Sequence, residues 1–246
     1  MKLFSNNSSN SKTNEYIFHT ANESFYNTGS NNSIADFPKG FKPLYPNNYI
    51  SRDYLKGLHH KDECQQFKAI LDKSKNENDI QSYIKQNKKW FIPASIFKCY
   101  DFGHHDAYLF PEQKLGSDYV VDYMLLGKNS CCWNIVFVEF ENANIDYIQK
   151  RRNEVTDKVR AGLTQINDWE RWIEKNRDYF FRSMNFDKNN ISIQPLSIFY
   201  CLVVSRRSRM TDKANELRQQ EMSRHNLNII TFDRLVDNIS RLVNGI

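Results

Sequence analysis

Three carboxylates fall at spacings that can bring them to one place: Asp122, Glu139 and Glu141. Asp122 opens Asp122-Tyr-Met-Leu-Leu, the two glutamates close Cys131-Cys-Trp-Asn-Ile-Val-Phe-Val-Glu-Phe-Glu, and Gly127-Lys-Asn-Ser lies between, so the stretch reads as strand, turn, strand. Side chains alternate along a strand, which puts Glu139 and Glu141 on one face and Val138 and Phe140 on the other. A hairpin returns the second strand beside the first and sets Asp122 across from that pair. Carboxylates crowded at the end of a sheet repel one another unless a cation neutralises them, and an all-oxygen site of this kind suits Mg²⁺ or Mn²⁺. The plainer alternative is that the acids are the solvated face of an edge hairpin. Pattern alone leaves both readings open.

A second candidate group is cationic. Leu196 to Val204 is nearly all apolar, as a strand buried on both faces should be, and Ser205-Arg206-Arg207-Ser208-Arg209 follows it directly. Open α/β sheets commonly place binding residues at such strand ends, and guanidinium groups there suit phosphate or carboxylate. A third group lies in the helical pattern from Ile145 to Tyr179, where Arg151, Lys158 and Gln165 fall on one line with little bulk between them at Ala161 and Gly162. A phosphate backbone fits there, although Glu154, Asp157, Asp168, Glu170 and Glu174 on the same segment leave a solvated flank as the alternative. His59-His60 and His104-His105-Asp106 read as polar loops.

The elements that must position these groups follow from periodicity. Asp62 to Ser74 and Glu77 to Trp90 carry helix-spaced apolar residues and form a helical hairpin that Pro93 stops. Ile96 to Tyr100 and Ala107 to Phe110 begin the strand region, with Pro111 restricting the latter to a strand end or a sheet edge. After the carboxylate hairpin, the long helix with its stripe of Ile148, Val155, Val159, Leu163, Ile166, Trp169 and Ile173 covers the sheet. A helix from Asp212 to Arg224, a strand from Asn228 to Ile230 and a helix from Thr231 to Val243 close the chain.

With 246 residues the chain can bury one full core. A net charge of +5 permits a polyanionic partner without requiring one. Five cysteines show no Cys-x-x-Cys spacing and no disulfide framework, which fits a reducing cytoplasm, and no apolar run is long enough to span a membrane. Residues 1–60 read as a separate arm. Within it, residues 5–14 are polar and expected to be disordered, while Phe25, Tyr26, Phe37, Phe41, Tyr45, Tyr49 and Tyr54 are too many for a free tail. They point to an irregular element that packs on the main domain and offers a surface to a protein partner, with stacking on bases as the alternative use.

In their order along the chain, these residues resemble the Shedu antiphage nuclease family of the PD-(D/E)XK superfamily. Leu115-Gly-Ser-Asp-Tyr-Val-Val-Asp122, Val138-Glu139-Phe140-Glu141 and Gln165-Ile-Asn-Asp-Trp169 look like that family's Asp, Glu-x-Lys and Gln-helix motifs. Gln65 to Phe91 looks like its helical lead-in, and Val203 to Arg206 with Ile230 to Leu235 like its closing strand and helix. The likeness runs from about residue 62 to the C-terminus, with one departure: Glu141 stands where the motif has Lys. It implies an α/β fold with a restriction-endonuclease-like core at 96–246, a mixed central sheet flanked by helices, preceded by the helical lead-in at 61–92.

The implied activity is that of a metal-dependent DNA endonuclease in antiphage defence. Asp122, Glu139 and Glu141 would hold Mg²⁺ or Mn²⁺, with Glu141 as ligand or base, Lys158 standing in for the missing motif Lys, and Gln165 orienting water or phosphate. Arg151, Lys158, Arg206, Arg207 and Arg209 would contact DNA, and the protein would work as a homo-oligomer. Two rivals remain. One is a nucleic-acid-binding module that keeps the fold but has lost cleavage, and the other is a structural subunit of a defence complex.

Overall fold

In a computed structural model that describes residues 42–149, 151–223 and 226–246, the acid-bearing hairpin lies inside a five-stranded sheet and not at its edge. The strands are β1 (Asp106–Leu115), β2 (Tyr119–Lys128), β3 (Trp133–Phe140), β6 (Ser197–Val203) and β7 (Leu227–Ile230), in the order β1-β2-β3-β6-β7. The first three pair antiparallel, and β3, β6 and β7 run parallel. Every residue of β3 is buried because it has a strand on each side and helices on both faces. The Asn129 side chain makes the β2–β3 turn by accepting from the backbone N–H groups of Cys131 and Cys132, both at 2.9 Å.

Helices α1 (Arg52–Lys56), α2 (His60–Lys73), α3 (Glu77–Gln86), α4 (Phe91–Ala94) and α7 (Phe232–Arg241) cover one face, packing on Leu125, Val136, Val138, Phe140 and Val203. The long helix α5 (Asp157–Ser183) and α6 (Asp212–Met222) cover the other, over Met124, Leu126, Ile135, Phe137 and Leu202. This mixed sheet between helices is consistent with a restriction-endonuclease-like core. Among the described residues no helix is long and apolar enough to cross a membrane.

The strand expected at Ile96 to Tyr100, the stop expected at Pro93 and the start of the long helix need correction, while the edge position allowed for Pro111 holds. Ser95–Cys99 is a 3-10 helix continuing from α4, and Pro93 sits inside α4, where a proline in the first turn removes no helical hydrogen bond. Pro111 lies within β1, an edge strand, which is the alternative the sequence allowed. The long helix begins at Asp157 and not at Ile145, because a small ladder of β4 (Ile148–Gln149) and β5 (Glu154–Val155) precedes it. Ile148 and Val155 satisfy helical spacing, yet they face each other across that ladder. Asn153, with φ of 52°, takes the left-handed turn between the two strands that asparagine tolerates.

The polar tail at residues 5–14 and the aromatics Phe25, Tyr26, Phe37 and Phe41 lie outside the described residues. Further along, Tyr45 packs edge-on against Tyr108 and Phe110 of β1, and Ile50 donates its N–H to Ala107 at 2.9 Å.

Candidate active site

The site is built where β2 and β3 end. Tyr123 pairs with Val138, so the next step of register sets Asp122 opposite Glu139, both on the α5 face of the sheet. Asp122 Oδ2 accepts the Phe140 N–H at 2.7 Å, which fixes one carboxylate oxygen against the neighbouring strand. Past Phe140 the backbone continues in register with β6, since the Glu141 N–H donates to the Val203 carbonyl at 2.8 Å. Glu139 and Glu141 therefore point the same way, as alternation requires. They are only 6% and 7% exposed, so they are not the solvated face of an edge hairpin.

Burying carboxylates together with only an exposed cation, Lys158, opposing them among the described residues shows in their protonation. Burial, then the charges of Asp122, Glu141 and Glu77, pushes Glu139 up to about 10. Burial also raises Asp122 to about 6, against the Phe140 N–H and the Gln81 side chain, with Glu77 and Glu112 adding to the rise. Glu141 is raised by burial and by Glu77, while Lys158 opposes. Glu139 Oε2 and Glu141 Oε2 are buried without a hydrogen-bond partner among the described residues, a condition that costs on the order of 1–3 kcal/mol for each orphaned polar group and more where it is charged.

A fourth carboxylate, Glu77, comes from the first turn of α3, and Gln81 one turn later binds the Tyr123 hydroxyl at 3.1 Å. Neither was singled out from the sequence. Asn76-Glu77-Asn-Asp79 reads as an ordinary helix start, with a cap and first-turn acids, and nothing local marks Glu77 as part of a site. Its placement depends on asparagines just past β3. Asn142 Nδ2 donates to the Lys75 carbonyl at 2.8 Å, and Asn144 Nδ2 donates to the Leu71 and Ser74 carbonyls at 2.6 and 2.9 Å. The α2–α3 connection is thus tied to the strand end that carries Glu139 and Glu141.

Helix α5 supplies the far wall. Gly162 is buried against Glu141 and Leu202, and a Cβ there would lie 2.8 Å from Leu202 Cδ1 and 3.0 Å from Glu141 Cγ. The missing side chain makes room for Glu141, and not for a phosphate backbone as the sequence suggested. Lys158, one turn earlier and exposed, reaches within 3.9 Å of Glu77 Oε2 and stands at the rim. Gln165 follows Gly162 by one turn and is half-buried. Arg151 does not join them: it lies exposed in the β4–β5 turn, outside the helix on which its alignment with Lys158 depended.

The strand-end arginines are differently engaged. Arg206 donates from Nε to both Asp233 oxygens at 3.1 Å and from Nη1 to Asp72 at 2.7 Å. It ties the end of β6 to α7 and α2, so the direct phosphate contact expected of it is replaced by internal pairing. Arg207 pairs with Asp237, and Arg209 with Asp146 at 3.1 Å, both at the surface, where such pairs exchange readily with another anion.

Four clustered carboxylates and two orphaned oxygens fit a hard divalent cation by donor chemistry. They do not form a ready-made cage: among the described residues no group of three His, Cys, Asp or Glu is already arranged to hold a metal ion.

No curated protein matches the chain. Residues 74–236 match the family described as Shedu protein SduA, C-terminal, a stretch that includes Glu77, Asp122, Glu139, Glu141, Lys158 and Gln165. Covering more than half of the chain and both walls of the site, this match makes the protein a member of the Shedu family.

Proposed function

We propose that this chain is a divalent-metal-dependent DNA nuclease serving antiphage defence. The family match supports the defence role, and the nuclease reading rests on the buried, uncompensated carboxylate cluster. The observation that carries it is the pair of oxygens, Glu139 Oε2 and Glu141 Oε2, that are buried without a partner among the described residues, in a cluster whose nearest described cation is at the rim. A fold gains nothing from such a pair in the absence of a ligand.

Asp122, Glu139 and Glu141 would hold Mg²⁺ or Mn²⁺, which would supply Lewis acidity toward a phosphate oxygen and a more acidic water. Asp122 is pre-oriented by the Phe140 N–H. Glu141 occupies the motif's lysine position, so its carboxylate serves as a further ligand or accepts a proton from the attacking water. Lys158, at the rim and already near Glu77, brings a cation that, among the described residues, acts on the cluster and can stabilise charge on the phosphate. Gln165 can hydrogen-bond water or phosphate from the same helix.

The direct test is to incubate the purified protein with linear and circular DNA in Mg²⁺, Mn²⁺ or EDTA. Cleavage that needs the metal and disappears in Asp122→Ala supports the reading. Metal-independent binding with no cleavage at any divalent concentration would assign the fold to a non-cleaving DNA-binding module.

A further inference from the structure

On the sheet edge opposite β1, a half-open cavity of about 420 Å³ lies between β7, α6, α7 and the turns Ser95–Cys99 and Arg207–Arg209. Its charged lining residues are all cations: Lys98, Arg207, Arg218, Arg234 and Arg241. Arg207 has Asp237 as a partner. Among the described residues, none of the other four has a carboxylate within ion-pair distance. Like charges around a concavity repel, and burial sharpens the effect. Burial and then Arg241 lower the proton affinity of Lys98, while burial, with a smaller contribution from Arg234 and against Tyr147, lowers that of Arg218.

Two lining atoms are buried with no partner among the described residues: Arg218 Nε, and Asn238 Oδ1 on a side chain that is 1% exposed. The cavity also has groups that are not charged. Met210 and Met222 give it apolar, adaptable wall, and Asn215 and Asn228 offer amides. Among the described residues strand β7 pairs only with β6, so the outer side of its backbone has no described strand partner.

We propose that this cavity binds a nucleotide carrying two or more phosphates, at a site that shares no residue with the carboxylate cluster. Cations in this number match several negative charges, and apolar wall with amides matches a base and sugar. The volume falls in the range of small-ligand sites, roughly 300–1,000 Å³. A duplex backbone would be served by cations along an open strip, not by cations gathered around one concavity.

Titration calorimetry on the full chain in EDTA, at fixed salt, tests this with ATP, AMP, sodium tripolyphosphate and a 5′-phosphorylated DNA duplex. ATP should bind about tenfold or more tightly than AMP, because each added phosphate gains a charge-assisted contact. Replacing both Arg234→Gln and Arg241→Gln, at exposed positions, should leave the melting temperature in place and weaken ATP by about a hundredfold, about tenfold for each lost contact. Asn215→Asp, which adds a negative charge to the lining, should also weaken ATP, and Glu139→Gln should leave its affinity unchanged. No ATP binding, or ATP binding unaffected by both lining variants, overturns the proposal. Tripolyphosphate or the duplex binding as tightly as ATP, with the same losses, would also overturn it and make the cavity an anion or DNA contact.

Discussion

Two neighbouring parallel strands, β3 and β6, end on the same side of the sheet in opposite electrical conditions. At the end of β3, Glu139 and Glu141 are buried with one oxygen each unpartnered, and their neighbours Asp122 and Glu77 carry the same charge. At the end of β6, Arg206 faces Asp233 and Asp72. There Asp233 is pulled up by burial, yet Arg206 and the Arg207 N–H hold it below the usual carboxylate range. Both places gather ionisable side chains at strand ends. Only one is left unbalanced, and an imbalance that folding does not relieve points to a ligand, whereas a closed network points to architecture.

Breaking each end separately sharpens the contrast. The largest effect is expected at β3: Asp122→Ala or Glu139→Gln should reduce metal-dependent cleavage on the order of a thousandfold, since several kcal/mol of charge stabilisation is lost. Glu139→Gln should melt no lower than the parent in EDTA, because mutual repulsion is removed, whereas Asp122→Ala also strands the Phe140 N–H. A variant that cleaves normally, or one that unfolds, would make the cluster structural.

Next comes Glu141. Glu141→Gln keeps the shape and removes the charge, and should slow cleavage by about a hundredfold if the carboxylate acts as ligand or base. Faster cleavage by Glu141→Lys than by the parent would show instead that the parent site has decayed.

At β6 the prediction reverses. Arg206→Ala leaves Asp233 without its main partner and should cost about 3 kcal/mol of stability, seen as a clear drop in melting temperature. If that substitution weakens DNA binding without lowering the melting temperature, the two strand ends are not different in kind.

The ends should also part in their response to pH. Asp122 and Glu139 have folded-state values raised to about 6 and about 10. Raised carboxyl groups stabilise the fold below their ordinary values near 4, and that contribution is lost as pH rises through the folded values. In EDTA, stability attributable to this cluster should therefore decline between about pH 4 and pH 10, and Glu139→Gln or added Mg²⁺ should flatten the decline. A pH-independent melting temperature in EDTA would count against the crowded carboxylates. The smallest effect is expected at the surface beyond β6, where Arg209→Ala should lower the slope of log affinity against log salt by about 0.9 on duplex DNA.

What could be read in the sequence divides along the same line. Asp122, Glu139 and Glu141 were legible because strand alternation and one turn fix their relation locally. Their burial was not, since the strand that encloses β3 from the other side, β6, lies more than one long helix away in sequence. Arg206 looked like a binding residue for the same reason: Asp72 and Asp233, which satisfy it, are remote along the chain. The helix start misplaced at Ile145 was a failure of a different sort. Residues seven apart serve a helix face and a two-residue ladder equally well, and an asparagine turn decided between them.

The asparagine ties past β3 bear on how the molecule assembles. Asn142 and Asn144 grip carbonyls about seventy residues earlier in the chain, so the quartet of acids exists only after that long loop has closed. Closure of this length is entropically costly and comes late relative to local hairpins and helices. The site should therefore protect its amides as one cooperative unit with the α2–α3 connection, and Asn144→Ala should speed hydrogen exchange at Leu71 to Glu77 and at Glu141 together while leaving the β1–β2 hairpin slow.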